Sequence, residues 1–398
     1  MNYGKRAAEL SDSIIASRRH IHQHAELSFE EHETTAYLVD ELKKIGIPVE
    51  QFEDYTGCIA VIKGGRSGGK TVLLRADIDA LPIQECSGVP FESIHPGVMH
   101  ACGHDCHAAM LLGAAKLLWE SREELSGTVK LLFQAAEEVF VGSRYYVDNG
   151  YLDDVDAAMG MHVWPTAESG RLVVMDGQLM ASCDNFKITV HGISTHGSTP
   201  NTGRDAIVAA SAIITSLQTI VSRVSDPLET LVVTVGTVRA GTQFNIITDT
   251  AVLEGTVRAY SPETRGMVEG AMRRIVEHMA DAMGCTVDIE YKYLEPPVCN
   301  ADERLNEIAR RSAVKLYGEE VLAVTPKALG SEDFSYVMEK IPCSLFIFLG
   351  CYEEAEDCVY PLHNEKFKID ERILPVGAAE YAQFAADYLE DSVGGESR

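Results

Sequence analysis

The sequence predicts an α/β protein: a larger domain with a mostly parallel central sheet, interrupted by a smaller ferredoxin-like α+β domain. Three observations carry this expectation. A length of 398 residues exceeds what one ordinary core supports, so two domains are expected. Up to residue 180 or so, short β-rich runs alternate with helical stretches, the order that builds a parallel sheet covered by helices. Beyond that point the order becomes β-α-β-β-α-β, the split pattern of a ferredoxin-like unit. The expected boundaries are 1–183 and 296–398 for the larger domain and 184–295 for the insert.

Residues 11–45 carry helical periodicity, broken near His24-Ala-Glu-Leu-Ser28. Two β-rich runs follow at 57–63 and 71–76, joined by Gly64-Gly-Arg-Ser-Gly-Gly69-Lys70-Thr71. That joint spells a phosphate-binding loop, which requires a helix to open at its lysine. Here a strand follows instead, so a turn between strands is expected. Residues 108–121 read as an Ala/Leu-rich helix, 127–134 as a strand, 142–149 as a helix and 157–162 as a strand. In the insert, strands are expected at 185–191, 230–236, 249–258 and 285–291, with helices at 206–221 and 262–283. Glu295-Pro-Pro297 punctuates the return to the larger domain.

Composition narrows the function classes. The formal net charge of −26 excludes a phosphate-backbone partner, because nucleic-acid binding needs a cationic surface. No apolar run approaches the length of a membrane span, and the N-terminus shows no signal-peptide core. The ten cysteines have no regular spacing and read as reduced thiols, so a cytoplasmic location is expected.

Four short segments carry chemistry: Cys102-Gly-His104-Asp105, Gln134-Ala-Ala-Glu137-Glu138, Gly160-Met-His162 and Pro361-Leu-His363-Asn364. Each follows or interrupts an apolar run. Together they offer a thiol, three imidazoles and two adjacent carboxylates, a ligand set for one or two divalent cations with a carboxylate left over as a base. Asp77 and Asp79 lie just past a strand's C-terminal end, where open α/β sheets place their sites. Asp79 is the better candidate, as an acceptor that orients a histidine ligand. Glycine between Cys102 and His104 lets both side chains reach one centre. Glu137 and Glu138, on an extended segment, would point apart, one toward metal and one toward a water. His20, His22 and His24 have no acid at a useful helical spacing and read as structural or surface histidines.

These residues resemble the M20 family of metallopeptidases, in the amidohydrolase branch of aminoacylases, hippurate hydrolases and auxin-conjugate hydrolases. The resemblance rests on Arg75-Ala-Asp-Ile-Asp79-Ala-Leu-Pro, Met99-His-Ala-Cys102-Gly-His104-Asp, Gln134-Ala-Ala-Glu137-Glu138, Gly160-Met-His162, Gly330-Ser-Glu-Asp333-Phe and Leu362-His363-Asn364. Arg18-Arg-His-Ile-His22-Gln-His-Ala25-Glu-Leu-Ser also fits, with Ala25 where the family usually has proline. Ala135 replaces another common proline, and Cys106 a common glycine; neither change removes a ligand.

The resemblance implies a catalytic domain interrupted by a lid that also dimerises. It carries metal binding onto Cys102, His104, Glu138, His162 and His363, the general base onto Glu137, and an orienting role onto Asp79. In the insert, Gly192-Ile-Ser-Thr-His196-Gly-Ser-Thr-Pro200 matches a segment whose histidine stabilises the oxyanion, in some members from the partner subunit. Asn245 and Arg258 fall in matching segments that contact substrate. The implied reaction is metal-dependent cleavage of an N-acyl amino acid into a free amino acid and a carboxylic acid. Dipeptidase or carboxypeptidase activity, N-acetyldiaminopimelate deacetylation and an inactive metal-bound interaction protein are the alternatives. Two divalent ions per subunit are implied, zinc first, then manganese, nickel or cobalt. The expected partners are a small substrate and a second copy of the chain, with no nucleic acid and no membrane.

Overall fold

A computed structural model describes residues 1–395. The chain runs through α1 (Tyr3–Glu9), α2 (Ser11–Gln23), α3 (His32–Ile45), β1 (Val49–Gln51), β2 (Gly57–Lys63) and β3 (Arg66–Asp77). Next come α4 (His104–Glu120), β4 (Ser126–Gln134), α5 (Gly142–Asp148), β5 (Ala157–Glu168), β6 (Leu172–Val173) and β7 (Gly177–Met180). The middle of the chain forms β8 (Asp184–His191), β9 (Thr195–His196), α6 (Ala206–Thr219), β10 (Leu231–Ala240), β11 (Ile246–Ile247), β12 (Thr250–Ala259), α7 (Pro262–Ala282) and β13 (Thr286–Tyr293). It finishes with β14 (Val298–Asn300), α8 (Glu303–Tyr317), α9 (Phe334–Lys340), β15 (Ser344–Tyr352) and α10 (Leu374–Gly395).

Two compact units result. The first holds Met1–Gly177, Cys299–Pro326 and the chain from Asp333 onward; the second holds Gln178–Val298 and Lys327–Glu332. The expected insert, 184–295, lies within the second unit but is shorter than it. Backbone hydrogen bonds explain the difference: Ala181 N donates to Gly330 O and Ala328 N to Leu179 O, both at 3.0 Å. These tie a late segment to the insert's leading edge, and no periodicity signals such a pairing.

In the first unit a seven-stranded sheet has the order β1-β2-β4-β3-β5-β15-β6. The four central strands β4-β3-β5-β15 are parallel, and the edges are antiparallel. Side chains alternate across it, as strand geometry demands. Val72, Leu74 and Ala76 of β3 join Val129, Leu131 and Phe133 of β4 in the core with α4 and α10. On the opposite face the Arg75 guanidinium carbon sits 5.8 Å from the Phe334 ring at the start of α9.

The second unit is a four-stranded antiparallel sheet, order β10-β12-β8-β13, with α6 and α7 packed on it. This is the expected β-α-β-β-α-β arrangement. Both helices begin where side chains cap them. Asp205 accepts from the N–H groups of Ile207 and Val208, and Ser261 accepts from Thr264 N with Pro262 in the first turn. Ala206–Val224 is long and apolar enough, by length and composition, to cross a membrane, which the sequence reading did not register. Ser and Thr residues interrupt its apolar run. Its Ala209, Ala210, Ile213 and Leu217 are buried in this unit's core.

Four element boundaries differ from expectation by four residues or more, one being the end of β10, at Ala240 rather than 236. β3 starts at Arg66, so Lys70 is a strand residue whose Nζ pairs with Asp156 at 2.6 Å, and no helix opens there. α4 starts at His104 rather than 108, because its first turn is polar and still buried. β5 continues past His162 to Glu168, because β15 goes on pairing with it after β3 has stopped.

Glu380 on α10 is fully buried, and neither carboxyl oxygen has a hydrogen-bond partner among the described residues. Burial, and secondarily Asp387, holds its pKa well above the usual carboxylate range. The folded chain therefore holds this proton more tightly than the unfolded chain. Its contribution to stability is complete below the unfolded value of about 4.5 and is lost as pH rises toward the raised folded value. Glu380→Gln should accordingly gain more in Tm over wild type at pH 8 than at pH 5. Equal gains at the two pH values in thermal unfolding would rule out Glu380 as a source of pH dependence.

Candidate metal centre

The parallel strands bring their C-terminal ends to one edge, with Asp77 of β3 in register with Gln134 of β4 and Arg75 with Gly160 of β5. Arg75, fully buried, organises that edge. Its Nη1 donates to Asp77 Oδ2 at 2.6 Å, Nη2 to Asp333 Oδ1 at 2.8 Å and Nε to Gln134 Oε1 at 2.8 Å. Gln134 in turn donates to Asp333. A buried guanidinium is stable only when paired and fully hydrogen-bonded, and these partners supply that.

Cys102 and His104 enter from the loop before α4. Gly103 between them has φ of 89°, the left-handed region, and a Cβ there would lie 2.4 Å from Val163 Cγ2. His104 Nδ1 faces the Asp79 carbonyl at 3.0 Å and Asp79 Oδ1 at 3.1 Å, both acceptors, so Nδ1 carries a proton. His162 Nδ1 faces the Val163 carbonyl at 2.7 Å, and its Nε2 lies 3.4 Å from Cys102 Sγ. His363, itself at φ of 64°, places Nε2 3.3 Å from the same sulfur and 3.5 Å from Glu138 Oε1. The structure thus brings all five expected ligands together with Glu137. Within 4.8 Å of one another lie the ligand atoms of Cys102, His104 and His162, of Cys102, Glu138 and His363, and of His104, Glu137 and Glu138. Cys102 and His104 each belong to two of these groups, which suits two neighbouring ions.

Glu137 and Glu138 do not lie on an extended segment as expected. They form a tight 3-10 turn, Glu137–Val139, between Ala136 at φ of 59° and Phe140 at φ of 66°. Two carboxylates hold this turn by its backbone. Glu31 Oε1 accepts from Ala136 N at 2.8 Å, and Asp79 Oδ2 accepts from Glu138 N at 3.0 Å. Burial and the neighbouring Asp79 raise the pKa of Glu31 to about 7. Asp79 therefore orients His104 and the glutamate turn together.

The donor set fits divalent cations. Nε2 of His104 and Oε1 of Glu138 are buried with no hydrogen-bond partner among the described residues. Burial, then the Glu138 and Glu137 carboxylates, push the Cys102 thiol well above its ordinary value. Burial opposes a charge on His104, yet Asp77, Asp79 and Glu138 drive it up to about 10. The His104 shift, and the smaller carboxylate share of the Cys102 shift, report an excess of negative charge that bound cations would balance.

Several contributors escaped the sequence reading. Arg75 and Asp333 stood inside recognised motifs without a role, and Glu31 was unremarked. His22 bridges two distant acids, Nδ1 to Asp105 Oδ2 and Nε2 to Glu85 Oε1, each at 2.9 Å, while Arg18 Nε donates to Asp105 at 2.6 Å. His20 and His24 lie nearer the surface, their rings tilted against one another with centroids 4.4 Å apart. His196, Asn245 and Arg258 all belong to the second unit. His196 on β9 pairs with Ile246 of β11, and the Asn245 carbonyl accepts from Gly197 N at 2.7 Å. Arg258 Nη1 donates to Ser331 Oγ at 2.9 Å.

Residues 73–387 match the family described as Peptidase family M20/M25/M40. The chain belongs to this family. Among curated relatives, an N-acetyl-L-cysteine deacetylase of Bacillus subtilis (strain 168) is 41% identical over 96% of this chain and 89% of its own length. Thermostable carboxypeptidase 2 of Saccharolobus solfataricus is 38% identical over 96% of each chain. The crystal structure of Bacillus subtilis YXEP protein, a dinuclear metal-binding peptidase from the M20 family, superposes with a TM-score of 0.86. It is 38% identical, covering 96% of this chain and 99% of that one. This M20 chain is thus a hydrolase of amide bonds.

Gly103→Ala tests the approach of the ligand loop to β5. Left-handed strain and overlap with Val163 together should cost about 1–3 kcal/mol. Thermal unfolding should show a lower Tm, and titration of the apoprotein a weaker metal affinity. An unchanged Tm would mean that the loop does not need its glycine.

Proposed function

We propose that this chain is a metal-dependent amidohydrolase that removes the acyl group of N-acyl amino acids, releasing a free amino acid and a carboxylic acid. The observation that carries the proposal is Glu137, whose carboxylate stands 3.9 Å from His104 Nε2 among the ligand groups. Cys102, His104, Glu138, His162 and His363 would hold two divalent ions. Thiolate and imidazole donors favour zinc, with manganese, nickel or cobalt as alternatives at the carboxylate-bearing position. Bound ions would supply Lewis acidity, polarising the scissile carbonyl and lowering the pKa of the attacking water toward neutrality.

The remaining steps belong to side chains. Glu137 takes the proton of the attacking water and returns it to the leaving nitrogen as the amide C–N bond breaks. Asp79 keeps His104 in its Nδ1–H tautomer, leaving Nε2 for metal. His196 is assigned to the oxyanion, from its own subunit or the partner's. Its tautomer supports that role: Ser198 N donates to Nδ1 at 3.1 Å, so a neutral ring carries its proton on Nε2 as a free donor. Asn245 and Arg258 are assigned to substrate contacts.

A carboxypeptidase reading is favoured by the names of two relatives. Both activities leave an amino acid with a free carboxylate, so only the acyl side distinguishes them. N-acetyldiaminopimelate deacetylation is a narrower form of the first reading. An inactive metal-bound scaffold would have no use for Glu137. Association of two copies through the second unit is supported by β10, an unpaired sheet edge, and by exposed Ile207 and Val208 on α6. A reducing, cytoplasmic location is supported by ten free thiols.

The deciding assay measures amine release from N-acetyl, N-benzoyl and N-fatty-acyl amino acids beside carboxyl-terminal dipeptides, with bound metal quantified. Turnover of the acyl amino acids is expected; dipeptides alone would select the carboxypeptidase, and no turnover with metal present would select the scaffold. Glu137→Gln should lose about 10²–10⁴-fold in kcat while keeping its metal. Near-normal turnover would remove Glu137 from the role of base. His196→Ala should lose about 10²–10³-fold with metal content unchanged. Loss of metal instead would make His196 a ligand.

A further inference from the structure

His107 is fully buried one turn into α4, and its ligand atoms lie within 4.8 Å of those of Asp77 and His104. Proximity alone would make these three a further cation site. Hydrogen bonding argues otherwise. β3 last pairs with β5 at Arg75 and Gly160, so three residues on, the Val163 N–H has lost that neighbour. His107 Nε2 takes its place, accepting from Val163 N at 2.9 Å. An acceptor nitrogen bears no proton, so the neutral ring carries its proton on Nδ1, 2.5 Å from Asp77 Oδ1. Both nitrogens are then occupied.

We infer that His107 is a positioning residue and not a metal ligand: it couples the Arg75–Asp77 ion pair to Val163, whose carbonyl sets the direction of His162. Both backbone groups of Val163 are held, its N–H by His107 and its carbonyl by Nδ1 of His162, so the two peptide units that flank its Cα are fixed together. Shifting the backbone at Val163 moves the carbonyl that holds Nδ1 and turns His162 Nε2 away from Cys102 Sγ. The two rings pack edge to face with centroids 4.5 Å apart, which limits the alternatives open to His162. This inference rests on the proposed assignment of His162 as a ligand.

The test titrates the full-length apoprotein with cobalt(II), following visible absorption and heat of binding, with no activity assay. His107→Asn keeps a polar group toward Asp77 but withdraws the acceptor from Val163. His107→Gln can return a carbonyl oxygen close to the Nε2 position. His107→Asn should weaken one of two cobalt sites by about ten- to a hundredfold and shift its absorption band. His107→Gln should recover most of that affinity. Wild-type binding by His107→Asn, while His162→Ala loses an ion, overturns the inference alone. Equal loss of an ion by both His107 variants makes His107 a ligand and also overturns it. If His162→Ala keeps both ions, the ligand reading itself falls, and this inference with it. A measurement on wild-type protein guards against misfolded variants. With cadmium-113 and nitrogen-15 histidine, metal coupling should appear at His162 and be absent at His107. Coupling at His107 would overturn the proposal.

Discussion

The site depends on where β3 stops. Asp77 is the last strand residue and Asp79 lies two positions on. A continuing strand would send both carboxylates to one face. Because the chain leaves the sheet, they take separate tasks: Asp77 holds Arg75 and His107, while Asp79 holds His104, Ser28 and the N–H of Glu138. Two buried carboxylates this close would be prohibitive without cationic or hydrogen-bonding partners. Burial works against the charge of Asp77, yet His104, His107 and Arg75 outweigh it and hold the group well below the usual carboxylate range. Ending one strand thereby anchors α4, the glutamate turn and, through His107, β5.

That anchoring explains how ligands from four segments meet without a preformed charge balance. Arg75 is committed to Asp77 and Asp333, and Arg18 to Asp105. No arginine or lysine is paired with Glu138 in the ion pairs of the described residues. The inner surface is therefore left with anionic donors, and the upward shifts of His104 and Cys102 are the local record of it. A scaffold that ties Arg75 and Arg18 to supporting carboxylates, and leaves Glu138 Oε1 without a hydrogen-bond partner among the described residues, is built to receive a metal.

Most of the candidate cluster was legible because each member sits where an apolar strand or helix run breaks, and such breaks are local. Cys102-Gly-His104 also announced its backbone, since glycine takes the left-handed position most readily and a Cβ here would meet Val163. What stayed hidden depends on long-range pairing. The strand ending at Gln134 gave no sign that Glu137 and Glu138 would enter a tight turn, because Glu31, over a hundred positions away, supplies the acceptor that holds it. The reach of the second unit to residues 327–332 was hidden for the same reason, since that irregular segment joins it through backbone hydrogen bonds to Leu179 and Ala181. His22 looked acid-free on its helix, and its acids, Glu85 and Asp105, come from other segments.

The histidines show why spacing alone cannot sort ligand from support. His104 and His162 each spend one nitrogen on an acceptor and turn the other toward the donor cluster. His22 and His107 spend both, on acids or on a backbone N–H, and have nothing left for a cation. His100 spends neither; burial drives its pKa down to about 4, so it packs as a neutral ring. All five are buried, and His100, His104 and His107 stand within eight residues of one another in the sequence. Residue type and spacing are nearly the same for ligand and support. What differs is whether an acceptor on another segment claims the second nitrogen, so the metal centre is defined as much by the histidines the fold ties up as by those it leaves open.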